Sequence, residues 1–245
     1  MLSVARRVGG VRTTNNTLAT RVFSSVKAGN LADVCNLKVV ASPFSPIEVS
    51  SLAAAPEFVS SKWTSPTLAD KIAIRDGSTG ETRTFSDYYK SMTNIASALY
   101  YEYNLKPYET VALFSPNNVE YLPICLAVGM CGAKLSPINP LSSLHELSKI
   151  LERSSSRILI AHAKLLPVAM EAASKCDSVE HVIILPDEQS DADIADGTTV
   201  NIESLLKYEH ALPLTESLKE VHEQVNPWLL PYSSGTTGLP KGKFI

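Results

Sequence analysis

The residues best suited to chemistry lie at Ser233-Ser234-Gly235-Thr236-Thr237-Gly238-Leu239-Pro240-Lys241-Gly242, behind an apolar lead-in, Trp228-Leu229-Leu230-Pro231-Tyr232. Glycines admit positive φ and let backbone approach a ligand closely. Successive exposed N–H groups in such a loop make an anion-binding nest. Ser233, Ser234, Thr236 and Thr237 add hydroxyl donors. Pro240 fixes φ near about −65° and stiffens the chain before the lysine. Lys241 supplies a mobile point charge suited to a polyphosphate. A Walker A loop needs G-x-x-x-x-G-K-[ST], whereas here Leu239-Pro240 separate Gly238 from Lys241. A plain Ser/Gly/Thr linker would need neither the apolar lead-in nor the single lysine.

Other reactive residue types do not assemble into a recognisable pattern. Cys35, Cys125, Cys131 and Cys176 form no C-x-x-C pair. Cys125 and Cys131 sit in an apolar run and read as buried, inert thiols. His145-Glu146 begins like H-E-x-x-H, but position 149 is Lys149; His222-Glu223 also lacks a second histidine. No G-x-S-x-G elbow surrounds a serine. The acidic run at 187–198 lacks calcium-loop spacing and reads as a solvated loop. The sequence therefore offers no catalytic nucleophile or general base of its own and no metal-ligand set.

These residues need a scaffold. The chain has 245 residues, 44% hydrophobic and 19% charged, with a formal net charge of −3, which is a globular composition. No basic stripe with interleaved aromatics appears, so nucleic acid is not an expected partner. No uninterrupted apolar stretch is long enough to span a membrane. Proline-rich residues 36–70 read as extended, turn-rich chain. Ile72–Ile74 and Thr82–Phe85 flank a glycine-containing loop and read as a hairpin. A helix is expected over 86–103, with Tyr88, Met92, Ile95, Ala96, Leu99 and Tyr103 on one stripe. Val111–Phe114 reads as a strand. Asn117-x-x-Glu120 resembles a capping box opening a helix to about Met130. Leu135–Ile138 reads as a strand, and Ser143-x-x-Glu146 as a second capping box opening a helix to about Glu152. Arg157–Ala161, 164–174, His181–Leu185 and 202–208 read as strand, helix, strand and short helix. Apolar β-branched strands alternating with helices predict an α/β fold with a mostly parallel sheet covered on both faces. Trp228–Tyr232 is expected to be a strand whose neighbour beyond the loop is mostly missing.

Residues 1–32 hold Arg6, Arg7, Arg12, Arg21 and Lys27, many Ser and Thr, and no acidic residue. That composition reads as an organellar transit peptide, mitochondria ahead of plastids. Arg21-Val22-Phe23-Ser24-Ser25 resembles a matrix-protease site.

Ser233–Gly242 resembles the first signature of the adenylate-forming (AMP-binding) superfamily, which includes acyl-CoA synthetases, 4-coumarate–CoA ligases and firefly luciferase. Thr84-Phe-Ser-Asp-Tyr88, Phe114-Ser-Pro-Asn-Asn-Val-Glu-Tyr121 and Gly132-Ala-Lys-Leu-Ser-Pro-Ile-Asn-Pro140 are similar to further stretches of that superfamily. The resemblance implies an acid–CoA ligase. A carboxylic acid attacks ATP to give acyl-AMP, and coenzyme A then displaces AMP. It assigns the ATP contacts to Ser233, Ser234, Gly235, Thr236, Thr237, Gly238 and Lys241, with Mg²⁺ sharing the phosphate charge. It also implies that the acyl pocket, the Mg²⁺-binding Glu, the ribose-binding Asp and the small C-terminal domain lie beyond Ile245. On that reading residues 33–245 are an incomplete N-terminal domain ending at the phosphate loop and inactive alone. The alternative is a non-catalytic nucleotide- or partner-binding module. The parent's compartment is expected to be mitochondrial, with plastid, peroxisome and cytoplasm as alternatives.

Overall fold

A computed structural model describes residues 55–186, 199–210, 228–234 and 240–242, all within the unit Glu48–Ile245. The elements are α1 (Ala55–Trp63), β1 (Ile72–Arg75), β2 (Thr82–Thr84), α2 (Phe85–Tyr101), β3 (Thr110–Phe114), α3 (Tyr121–Met130) and β4 (Lys134–Ile138). They continue with α4 (Leu144–Ser154), β5 (Ser156–His162), a 3-10 turn (Ala163–Leu165), α5 (Leu166–Ala173), β6 (His181–Leu185), β7 (Thr199–Asn201), α6 (Ile202–Leu206), β8 (Tyr232–Ser234) and β9 (Pro240–Gly242). The α/β class is as expected. Five strands form one parallel sheet in the order β4-β3-β5-β6-β7.

Side chains alternate across a strand, so each apolar run feeds two cores. Val111, Leu113, Leu135, Ile158, Ile160, Ile183 and Leu185 face one core, packed with Met92, Ile95 and Leu99 of α2 and Ile124, Ala127 and Val128 of α3. Ala112, Phe114, Leu159, Ala161, Val182 and Ile184 face the other, against Leu147, Ile150 and Leu151 of α4 and Ala169 and Ala172 of α5. Burying one such Leu- or Phe-sized side chain contributes about 1.5–3 kcal/mol. Pro123 through Gly129 are all buried. An apolar helix of that kind must be covered on every side.

Local chemistry sets several boundaries that the sequence patterns missed. Thr84 Oγ1 accepts from the Asp87 N–H at 3.1 Å, and Asp87 Oδ2 accepts from the Thr84 N–H at 2.8 Å, which starts α2 at Phe85. Asp at the third position, instead of Glu or Gln, hid this box from the usual template. The helix stops at Tyr101, two residues early. Asn104 turns the chain at φ 50°, and Tyr103 meets His181 edge-to-face at 5.0 Å.

The expected Asn117–Glu120 box does not form. Glu120 is the residue before α3 and makes no side-chain cap bond. Asn118 Oδ1 instead accepts from the Glu120 N–H at 2.9 Å, a local turn that delays the helix to Tyr121. The Ser143–Glu146 box forms as read, and α4 ends on Ser155 in left-handed conformation at φ 48°. His145 is exposed near the start of that helix.

Two elements went unread. Residues 36–70 include α1, whose second residue, Pro56, is tolerated because a first-turn N–H has no helical acceptor. The short edge strand β7 pairs with β6. The segment 164–174 divides into the 3-10 turn and α5, with Pro167 in the first turn of α5. The acidic run at 187–198 and residues 1–54 lie outside the described residues.

Candidate phosphate-binding hairpin and sheet-edge crevice

The expected strand over Trp228–Tyr232 divides in two. Leu229 makes an isolated parallel bridge with Leu135 on the outer edge of β4. The Leu135 N–H donates to the Trp228 carbonyl and the Leu230 N–H to the Leu135 carbonyl, each at 2.8 Å. Trp228 Nε1 donates to the Cys125 carbonyl of α3 at 3.0 Å. The lead-in is therefore fixed to both β4 and α3, and it runs in the direction of β4.

Beyond it, Tyr232–Ser234 pairs antiparallel with Pro240–Gly242, a three-residue neighbour that reaches only Tyr232 of the expected strand. The register sets Tyr232 opposite Gly242, Ser233 opposite Lys241 and Ser234 opposite Pro240. Of the seven phosphate-contact candidates, Ser233, Ser234 and Lys241 thus stand on the two arms of one hairpin. Gly235, Thr236, Thr237 and Gly238 lie outside the described residues, in the span the hairpin closes. Tyr232 packs into the second core, and burial raises the pKa of its phenol, opposed by the charge of Arg153. Gly242 gives the ring room, because a Cβ there would sit 3.0 Å from the Tyr232 ring carbon Cζ.

A second feature escaped sequence reasoning. In this strand order the connections from β3 and β5 leave for opposite faces, through α3 and α5 respectively. Parallel sheets bind ligands outside the carboxyl ends of their strands at such a reversal. A cavity of about 390 Å³ opens at the carboxyl ends of β3 and of its neighbour on the other side, β4, lined by Ser115, Pro116, Asn117 and Tyr121 after β3 and by Pro137, Ile138, Asn139 and Pro140 at the end of β4. Asn118 Nδ2 donates to Ser115 Oγ at 2.8 Å and to the Pro116 carbonyl at 3.2 Å, which folds the turn after β3. Asn139 Oδ1 accepts from the Leu141 N–H at 3.0 Å, which shapes the turn after β4. At the end of β5, the buried His162 accepts at Nδ1 from the Lys164 N–H at 3.3 Å. The signal was present in Phe114-Ser-Pro-Asn-Asn and Ile138-Asn-Pro, two strands each running into asparagine and proline.

Among the described residues no group of three or more His, Cys, Asp or Glu comes together to hold a metal. The described residues thus supply no ligand set for Mg²⁺. Cys125 and Cys131 are buried free thiols, as read, and Cys176 is buried and free as well; burial pushes Cys125 and Cys131 up to about 12. No described helix is long and apolar enough to cross a membrane.

Comparison with known proteins gives a consistent result. Residues 62–245 match the family described as AMP-binding enzyme. Peroxisomal OPC-8:0-CoA ligase 1 of Arabidopsis thaliana is 31% identical over 172 residues, covering 70% of this chain and 30% of that protein. 4-Coumarate–CoA ligase 4 of Arabidopsis thaliana is 30% identical over 172 residues, covering 70% of this chain and 29% of its own length. The structure of the luciferase-like enzyme from the nonluminescent mealworm Zophobas morio superposes with a TM-score of 0.62 at 19% identity, over 84% of this chain and 44% of that one. The chain thus spans about a third of the length of these curated relatives.

Proposed function

The chain belongs to the AMP-binding enzyme family, and from that premise we propose that the protein carrying it is an ATP-dependent acid–CoA ligase. A carboxylate oxygen attacks the α-phosphorus of ATP, and pyrophosphate leaves as acyl-AMP forms. The thiol of coenzyme A then attacks the acyl carbon and AMP leaves. The observation that carries this reading is the β8–β9 hairpin, which sets Ser233 opposite Lys241 on either side of the glycine- and threonine-rich sequence Gly235-Thr236-Thr237-Gly238. Within it, Ser233, Ser234, Gly235, Thr236, Thr237, Gly238 and Lys241 hold the β- and γ-phosphates. Their contribution is positioning and electrostatic stabilisation of the leaving pyrophosphate. The lead-in fixed to β4 and α3 gives that hairpin a rigid base. A Mg²⁺ ion bound with the nucleotide would share the charge that Lys241 faces. The acid is a small-molecule carboxylic acid held by parts of the fold that relatives have beyond this length.

The test is ATP binding to the purified chain by calorimetry. The expected affinity is roughly millimolar, about −4 kcal/mol, because a phosphate loop alone holds neither adenine nor ribose. Lys241→Ala is expected to weaken it further. Equal binding by the variant would overturn the assignment of Lys241. Acid-dependent ATP–pyrophosphate exchange, run with aromatic and fatty acids, is expected to be absent from residues 33–245 alone. Exchange above background would show that this part is a complete catalyst.

Residues 1–32 serve in this reading as a mitochondrial transit peptide, supported by five cationic and no acidic side chains. Residues 1–40 fused to a fluorescent reporter are expected to reach mitochondria. A diffuse, plastid or peroxisomal signal would overturn it.

A further inference from the structure

Six buried side-chain polar atoms in the described residues have no hydrogen-bond partner, and three of them belong to residues that interact with one another: Arg83 Nε, Tyr88 Oη and Glu120 Oε2. Arg83 Nη2 lies 3.4 Å from the other Glu120 oxygen, Oε1, and 2.8 Å from Glu81 Oε1. Tyr88 feels the charges of both Glu120 and Arg83. Trp63 of α1 lies over this group, with its ring 5.6 Å from that of Tyr88 and 6.0 Å from that of Phe85. Glu120 is 8% exposed. A carboxylate this well covered is usually satisfied on both oxygens.

The three atoms have complementary chemistry. Arg83 Nε–H can only donate, the ionised Glu120 oxygen can only accept, and the Tyr88 hydroxyl can do either. A single shared water would give each of them a partner, since buried waters typically make about three bonds to polar groups left without partners. Glu120 also lies within the turn after β3 that forms one half of the crevice wall. Its own N–H is held by Asn118 Oδ1, Asn118 Nδ2 holds Ser115 Oγ, and the next residue, Tyr121, lines the cavity. Anything that fixes Glu120 therefore fixes the turn from Ser115 to Tyr121.

We propose that Arg83, Tyr88 and Glu120 enclose a buried water, and that Glu120, clamped by that water and by Arg83, is the positioning residue for the Ser115–Tyr121 turn of the sheet-edge crevice. The clamp ties the β1–β2 hairpin and α2 to a crevice wall that neither of them lines. The groups facing the Glu120 carboxyl are Arg83 and Glu81 from the hairpin, and Tyr88 and Ser91 from α2. Burial is the largest influence on this carboxyl and raises its pKa, against the attraction of Arg83 and a hydrogen bond from Ser91. Protonation of the carboxyl accordingly weakens the clamp.

Two measurements on the purified chain test this, and neither depends on the enzymatic reading. A high-resolution crystal structure is expected to show a water within hydrogen-bond distance of Arg83 Nε, Tyr88 Oη and Glu120 Oε2; empty density there would overturn the proposal. By NMR, the Glu120 backbone amide and the Asn118 side-chain amide are expected to inflect together at a pH above the ordinary glutamate value of 4.5. Glu120→Gln, which keeps the shape of the side chain, is expected to abolish that inflection. Tyr88→Phe is expected to move it to higher pH, because the carboxylate loses a donor acting through the water. A Tyr88 that merely fills space would leave the inflection where it was. An inflection unchanged in both variants, or absent from the wild-type chain, would overturn the proposal.

Discussion

Trp228 anchors the lead-in to the hairpin, and its replacement gives a test with a size set by geometry. The indole N–H bonds the Cys125 carbonyl at 3.0 Å, and the ring packs, partly buried, against the core under α3. Trp228→Phe removes that bond, worth about 0.5–1.5 kcal/mol net, and a modest part of the ring contact. The Cys125 carbonyl stays within helical bonding, so no buried acceptor is orphaned. A loss of about 1 kcal/mol is expected. Trp228→Ala removes the whole ring. Fully buried aromatics cost about 3–5 kcal/mol on truncation, so a partly buried one should cost about 2–3 kcal/mol. Against a net stability of about 5–15 kcal/mol the protein should remain folded.

Urea unfolding followed by circular dichroism reads the global change, and in these variants Trp63 is the sole remaining fluorophore of the two tryptophans. Amide hydrogen exchange reads the local one. The Leu230 N–H and Leu135 N–H close the bridge to β4. Their protection should fall about fivefold in Trp228→Phe, since about 1.4 kcal/mol is tenfold, while that of Ile160 at the sheet centre should track only the global loss. Unchanged exchange at Leu230 and Leu135 in Trp228→Ala would refute the argument that Trp228 holds the hairpin's base.

Further outcomes follow from caps, thiols and packing. Ser143→Ala should cost about 1 kcal/mol in thermal or urea unfolding, as N-cap losses do. The Ser143 N–H and hydroxyl hold the Glu146 carboxyl below its ordinary value of 4.5. A depressed pKa contributes stability above 4.5 that disappears as pH falls through the folded value, so Glu146→Gln should flatten the acid limb of a plot of Tm against pH. Cys125, Cys131 and Cys176 should resist a thiol reagent at about pH 8 until urea is added, as read by peptide mass spectrometry; rapid native labelling of Cys131 would contradict its burial. Phe114→Ala, at a side chain 1% exposed in the second core, should cost about 3–5 kcal/mol by urea unfolding.

What could be read from the sequence followed from the range of the physics involved. The strands at 111–114, 157–161 and 181–185 were legible because a fully buried parallel strand must be apolar at every position. The Ser143 cap was legible because its partner is three residues away. Asn118 misled because its side chain competes locally for the backbone that a helix would otherwise use. The crevice was invisible for a different reason. Ser115 and Asn139 are 24 residues apart in the sequence and meet only because β3 and β4 lie side by side. The Arg83–Glu120 contact likewise joins residues 37 positions apart, with no periodicity to announce it. In the hairpin, residue types pointed to the chemistry, while the pairing of Ser233 with Lys241 needed the register.

The outer edge of β4 has a consequence for how copies of the protein meet in solution. Leu135 turns its N–H and carbonyl outward, where the lead-in takes both. In a parallel ladder the next residue to face outward in the same way is two positions on, and that residue is Pro137, which has no N–H to offer. An incoming strand would find half of this edge occupied and the other half without a donor. At the opposite margin β7 extends for three residues only. Both margins carry devices by which natural sheets avoid growing from one molecule into the next. The five-stranded sheet should therefore resist edge-to-edge polymerisation, and crowding at high concentration should leave its strand content unchanged.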